Sequence, residues 1–89
     1  MICKKTTIQN AYGIHCRPSG IISQAVRGYQ GKIIVRGPDG SEASPDSVLS
    51  LLSLALAGGD EVEVIVDGPD EEAKCDELLE LFSRNYDFE

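Results

Sequence analysis

Basic side chains are scarce in this chain: 8 lysines and arginines stand against 15 acids, a formal charge of −7. A surface of that sign repels phosphate backbones and anionic lipid, which argues against nucleic acid as a partner and favours a protein with a basic face. Long apolar runs are also missing. Nothing approaches the roughly 20 residues that a membrane helix requires, and the opening Met1-Ile2-Cys3-Lys4-Lys5 lacks the apolar stretch of a signal peptide. We therefore expect no membrane insertion and a cytoplasmic location. The three cysteines (Cys3, Cys16, Cys75) cannot all pair within the chain, and none is spaced as C-x-x-C. Free thiols in a reducing compartment are expected, with no metal site and no bound cofactor. Histidine occurs once, at His15.

What is present suits one small domain over residues 1–89. A chain of this length buries roughly two-thirds of its unfolded surface, and 42% hydrophobic residues are enough for a thin core. Thr and Ile over residues 2–8 read as a strand, although Lys4 blurs the alternation. A helix starts near Pro18, with Ile21, Ile22, Ala25, Val26 and Tyr29 on one face. The β-prone run Lys32–Arg36 leads through Pro38-Asp39-Gly40, a hairpin signal, into a short strand at 41–43. Ser44-Pro45-Asp46 reads as a helix start, with Ser44 capping and Pro45 in first position. The leucine-rich helix that follows is apolar on more than one side and ends at Gly58-Gly59. Glu61–Asp67 alternates clearly as a strand. Asp70 then caps a last helix with Glu71 and Glu72 in its first turn, and Cys75, Leu78, Leu79 and Phe82 form its buried stripe. The order is β-α-β-β-α-β-α. Four short strands with the helices gathered on one face bury these stripes as a two-layer α+β sandwich.

The chemistry concentrates in Gly13-Ile14-His15-Cys16-Arg17-Pro18-Ser19. A lone histidine is usually structural or merely exposed, but this one precedes a helix start. Free backbone N–H groups and the positive end of the dipole collect there. An imidazole in that place can accept a phosphoryl group, with its oxygens on the Cys16 and Arg17 amides and on the Arg17 guanidinium. Elsewhere Arg17 would read as a solvated surface charge. Ser47 is one of several serines near a helix start, where capping is common. Val48, Leu49, Leu51 and Leu52 cannot all face one thin core, so either the second helix is broadly buried or it exposes an apolar patch of the kind that marks partner sites.

The motif resembles the active-site segment of the histidine-containing phosphocarrier (HPr) family of the bacterial sugar phosphotransferase system. Gly13, Ile14, His15, Arg17, Pro18 and Ser19 fit its pattern, while Cys16 and Gly20 depart from it. The run from Ser47 to Leu54 and the segment from Gly68 to Ala73 look like later parts of the same family, so the resemblance covers almost the whole chain. It implies an open-faced sandwich: a four-stranded antiparallel sheet in the order first, fourth, second, third, with three helices on one face. It also implies a phosphoryl carrier rather than an enzyme. Nδ1 of His15 would receive the group from enzyme I and pass it to sugar-specific IIA domains, with the protein acting as a monomer. Ser47 would be a regulatory site for a serine kinase and phosphatase, although Asp46 replaces the usual Lys or polar neighbour. Gly20, Val48, Leu49 and Leu52 would dock the partners.

Two rivals follow from the same residues. One is a regulatory module that signals by docking, which Cys16, Gly20 and Asp46 favour. The other is a small hydrolase built on His15 and Cys16. Adjacent side chains diverge, however, and nothing orients the imidazole as a base.

Overall fold

Valine alternates with charge along Glu61–Asp67, and the chain buries that strand at the centre of a sheet. The computed structural model describes residues 1–9 and 16–84, with the side chains of Cys16 and Arg17 outside that description. Its elements are β1 (Ile2–Thr7), α1 (Cys16–Val26), β2 (Lys32–Arg36), β3 (Glu42–Ala43), α2 (Val48–Ser53), β4 (Glu61–Asp67) and α3 (Glu71–Ser83). The sheet runs β1-β4-β2-β3, with every pairing antiparallel, as the family resemblance implies.

Register explains the burial. Val62, Val64 and Val66 of β4 are fully buried. They face Thr6, Lys4 and Ile2 of β1 on one side, and Val64 and Val66 face Val35 and Ile33 of β2 on the other. Directly opposed residues share a sheet face, so these side chains form one inner layer. Ile22 and Val26 of α1, Leu51 of α2, and Cys75, Leu78, Leu81 and Phe82 of α3 complete the core. Lys4 breaks the apolar alternation because it points inward on an edge strand and places its amine 2.7 Å from Asp76 on α3. An inward charge of this kind also protects an edge from pairing with other strands. On the open face Arg36 joins three strands, donating to Glu42 of β3 at 2.7 Å and to Glu63 of β4 at 2.9 Å.

The helices meet above this layer. Lys74 Nζ donates to the Ala25 carbonyl at the end of α1 (3.1 Å), satisfying an acceptor that the helix itself leaves open. Gly31 and Gly68 pack so closely that a side chain at Gly31 would strike the Asp67 carbonyl and the Gly68 Cα. Beside them the Tyr29 hydroxyl donates to the Pro69 carbonyl at 2.8 Å. Tyr29 therefore lies beyond α1, not on its helical face, because the chain leaves the helix at Val26 to reach this junction.

Four boundary expectations are corrected. Helix α2 is capped by Ser47, whose Oγ accepts from the Ser50 N–H (3.3 Å). Ser44, Pro45 and Asp46 form a turn closed by Ser47 N–H to the Ser44 carbonyl, and Ser44 Oγ donates instead to the Asp46 carboxylate at 2.6 Å. Serine and proline favour turns as they favour helix starts. Secondly, α2 ends at Ser53 rather than at Gly58-Gly59. Leu51 and Leu56 are both buried, yet five residues along one helix would set them about 140° apart. Ala55, at a φ of 52°, turns the chain so that Leu56 returns to the core.

Thirdly, Asp70 precedes α3 but its side chain makes no capping bond. Its φ of 51° is left-handed, whereas a capping residue needs extended backbone. Glu71 takes over, accepting from the Gly68 N–H and pairing with the Met1 amine at 2.9 Å. Finally, the α3 stripe buries Leu81, while Leu79 is only half-buried at its margin.

Cys3 is an exposed free thiol and Cys75 a buried one. Burial raises the Cys75 pKa and keeps it a neutral thiol.

Two tests follow. Hydrogen bonding to the Met1 amine and to the Gly68 N–H lowers the Glu71 pKa. Its stabilisation is therefore complete above the ordinary glutamate range and is lost as pH falls through the depressed folded value. Denaturant titrations should show wild type more stable than Glu71→Gln at neutral pH, with the difference shrinking in acid. At the other cap, Ser47→Ala should cost about 1 kcal/mol by thermal or chemical unfolding, whereas Ser47→Asp should be nearly neutral.

Candidate functional site

Helix α1 begins at Cys16, so the chain enters it one residue after His15. His15 itself and residues 10–14 lie outside the described residues. The backbone of Cys16 and Arg17 occupies the first turn of an 11-residue helix, where N–H groups have no intrahelical partner. Pro18 completes that turn without cost, because its missing N–H would have been an orphan in any case. The first turn thus offers amides at the two positions where a phosphate cradle is expected, and the dipole adds positive potential.

Pro18 and Ser19 are fully buried, which ties the start of α1 to the body of the protein. Among the described residues the Ser19 hydroxyl has no hydrogen-bond partner. One turn on, Ser23 is also buried and donates to the Asp46 carbonyl at 3.0 Å. That bond fixes α1 to the residue immediately before the α2 cap. Sequence reasoning missed Ser23. Its only signal is a hydroxyl four residues after Ser19 on a face otherwise occupied by Ile22 and Val26.

Helix α2 resolves the choice left open by its composition. Only Leu51 among its six residues is buried. Leu49 is 79% exposed, and Val48 and Leu52 are half-buried. The helix therefore presents an apolar surface, since it is too short to wrap all its leucines into the core. Gly20, on α1, has open space where a side chain would project, so the smallest residue stands at a position with room for a larger one. Ser47 sits at the N-terminal end of α2, exposed, with its oxygen already accepting from Ser50. The carboxylate of neighbouring Asp46 is held by Ser44. Among the described residues no group of His, Cys, Asp and Glu could hold a metal ion, and no helix is long and apolar enough to cross a membrane.

Comparison with known proteins matches this geometry to a family. The family model described as PTS HPr component phosphorylation site matches residues 2–84. The phosphocarrier protein NPr of Escherichia coli K12 is 34% identical over 88 residues, covering 98% of each chain. The phosphocarrier protein HPr of Treponema pallidum is 32% identical over 90 residues, covering each chain completely. Among solved structures, HPr-C-His from Thermoanaerobacter tengcongensis superimposes with a TM-score of 0.83 at 27% identity, covering 92% of this chain and 91% of that one. The helix entered through the motif, the exposed α2 and the order β1-β4-β2-β3 thus occur together with a family match along nearly the full length. This chain belongs to the HPr family of phosphotransferase-system phosphocarriers, proteins that carry a phosphoryl group on histidine and are not themselves enzymes.

Proposed function

We propose that this protein accepts a phosphoryl group on His15 from phosphorylated enzyme I and passes it to sugar-specific IIA domains. The observation that carries the reading is the entry of the Gly13-to-Ser19 motif into α1 at Cys16, one residue beyond the only histidine. In the first half-reaction a nitrogen of neutral His15 attacks phosphorus on the donor's phosphohistidine. The phosphorus–nitrogen bond at the donor breaks as the new one forms, and the donor imidazole leaves with the electron pair. In the second, the acceptor's nucleophile attacks phosphorus and His15 imidazole leaves. Arg17 and the first-turn amides hold the phosphate oxygens. They must hold the transition state at least as well as the loaded carrier, or the group would not leave. Gly20, Val48, Leu49 and Leu52 form the apolar docking face for both partners. Ser47 is the regulatory position, and a phosphate there would lie at the favourable end of α2. A cytoplasmic monomer suits such a shuttle.

A second reading is a regulatory module that docks according to its phosphorylation state. Cys16, Gly20 and Asp46, which depart from the family pattern, favour it. The preferred acceptor separates the two, because a regulator would charge sugar-specific domains slowly or not at all.

Incubation with enzyme I and phosphoenolpyruvate should add the mass of one phosphoryl group, acid-labile and absent from His15→Ala. A correctly folded protein that gains no mass would exclude the carrier reading. Leu49→Asp should change stability by less than about 0.5 kcal/mol, as expected for an exposed site, while slowing phosphoryl transfer from enzyme I several-fold. Transfer at the wild-type rate would remove Leu49 from the docking face.

A further inference from the structure

The far end of α1 borders a second recognition surface. Strand β3 is only two residues long and pairs with Val35 and Arg36, leaving the beginning of β2, among the described residues, without a strand neighbour on that side. The hairpin bond from Gly37 N–H to the Ser41 carbonyl (2.8 Å) fixes which residues of β2 face this edge. Backbone groups of alternate residues point the same way, so those of Val35 meet Ala43 and those of Ile33 point past the end of β3. Pro45 would be next in register and has no N–H to offer. The edge opens into a groove of about 420 Å³ between the end of α1, β2 and the Ser44-to-Asp46 turn. Arg27 and Lys32 stand on its rim, both exposed, and among the described residues neither has an ion-pair partner within 4.0 Å. In a chain of charge −7, two unpaired cations beside an open strand edge are a local reversal of sign. The one acid in the lining, Asp46, has its carboxylate engaged by the Ser44 hydroxyl.

We propose that this groove binds an extended acidic segment of a partner protein, which adds alongside β2. Main-chain hydrogen bonds to Ile33 give the affinity and Arg27 and Lys32 select for acids, the division of labour usual in strand addition. Two copies meeting groove to groove would set Arg27 and Lys32 against the same residues, which disfavours a symmetric pairing here. The groove lies at the opposite end of α1 from Cys16, about 15 Å away along the helix, so a partner held here leaves the motif end of α1 uncovered. The proposal does not depend on His15 being phosphorylated.

The test is titration of the ¹⁵N-labelled protein with a capped Glu-Val-Glu-Val-Glu peptide, with Gln-Val-Gln-Val-Gln as control. Saturable amide shifts confined to residues 27–34 and 44–46 are expected for the acidic peptide and not for the control. The Arg27→Glu/Lys32→Glu double variant, altered only at exposed positions, should weaken binding roughly tenfold, as the loss of two surface charge contacts implies. Absence of saturable shifts, equal binding of the glutamine peptide, shifts centred on Gly20 and Leu49, or unchanged affinity of the double variant would each overturn the proposal.

Discussion

Everything in this fold depends on β4 being held from both sides. Its three inward valines are buried completely, and its two backbone edges are satisfied by β1 and β2. Because β4 lies late in the chain and between the first two strands in space, the sheet cannot close until most of the protein has been gathered. Helix α3 then covers β1 and β4 with Cys75, Leu78, Leu81 and Phe82. Leu78, Leu81 and Phe82 each contribute about 1.5–3 kcal/mol when removed from water, a substantial fraction of the stability available to a small domain.

That foundation leaves α1 and α2 to be positioned by finer means. The Ser23 hydroxyl on the Asp46 carbonyl and the Lys74 amine on the Ala25 carbonyl are single polar bonds at opposite flanks of α1. Both use backbone acceptors, so each needs only one side chain, Ser23 of α1 in the first and Lys74 of α3 in the second. The consequence is a helix with two differently equipped ends. Its first turn carries amides without an intrahelical partner and continues from the motif, and its last turn opens onto the short edge of β2. Between them the exposed leucine of α2 provides the apolar area. The proposed anion cradle, docking face and strand-addition groove therefore fall on separate parts of the layer formed by α1 and α2.

Strands were the most legible elements. Lys32–Arg36 and Glu61–Asp67 carry β-branched residues and end in turn signals, so local pattern and tertiary demand agree. Helix boundaries were less legible. Ser44-Pro45-Asp46 and Ser47 present the same residue types. Which serine caps α2 was settled by the turn that buries Pro45 and hands the Asp46 carbonyl to Ser23. Tyr29 has the spacing of a helical residue but belongs to the Gly31–Gly68 junction, a contact between segments more than thirty residues apart in sequence. Asp70 has a capping side chain on a backbone that the junction turns left-handed.

The sequence by itself determined the chemistry on offer. A single histidine beside Arg17 and Pro18, an acidic surface and alternating valines are properties of composition and order, and they persist whatever the packing. Only the tertiary structure decided where α2 stops, which of its leucines is left in water, which hydroxyl ties it to α1, and that β3 is too short to cover β2. Those outcomes depend on filling one shared core and satisfying buried backbone groups at the same time. No segment carries that information alone, because each answer depends on how much room its neighbours leave.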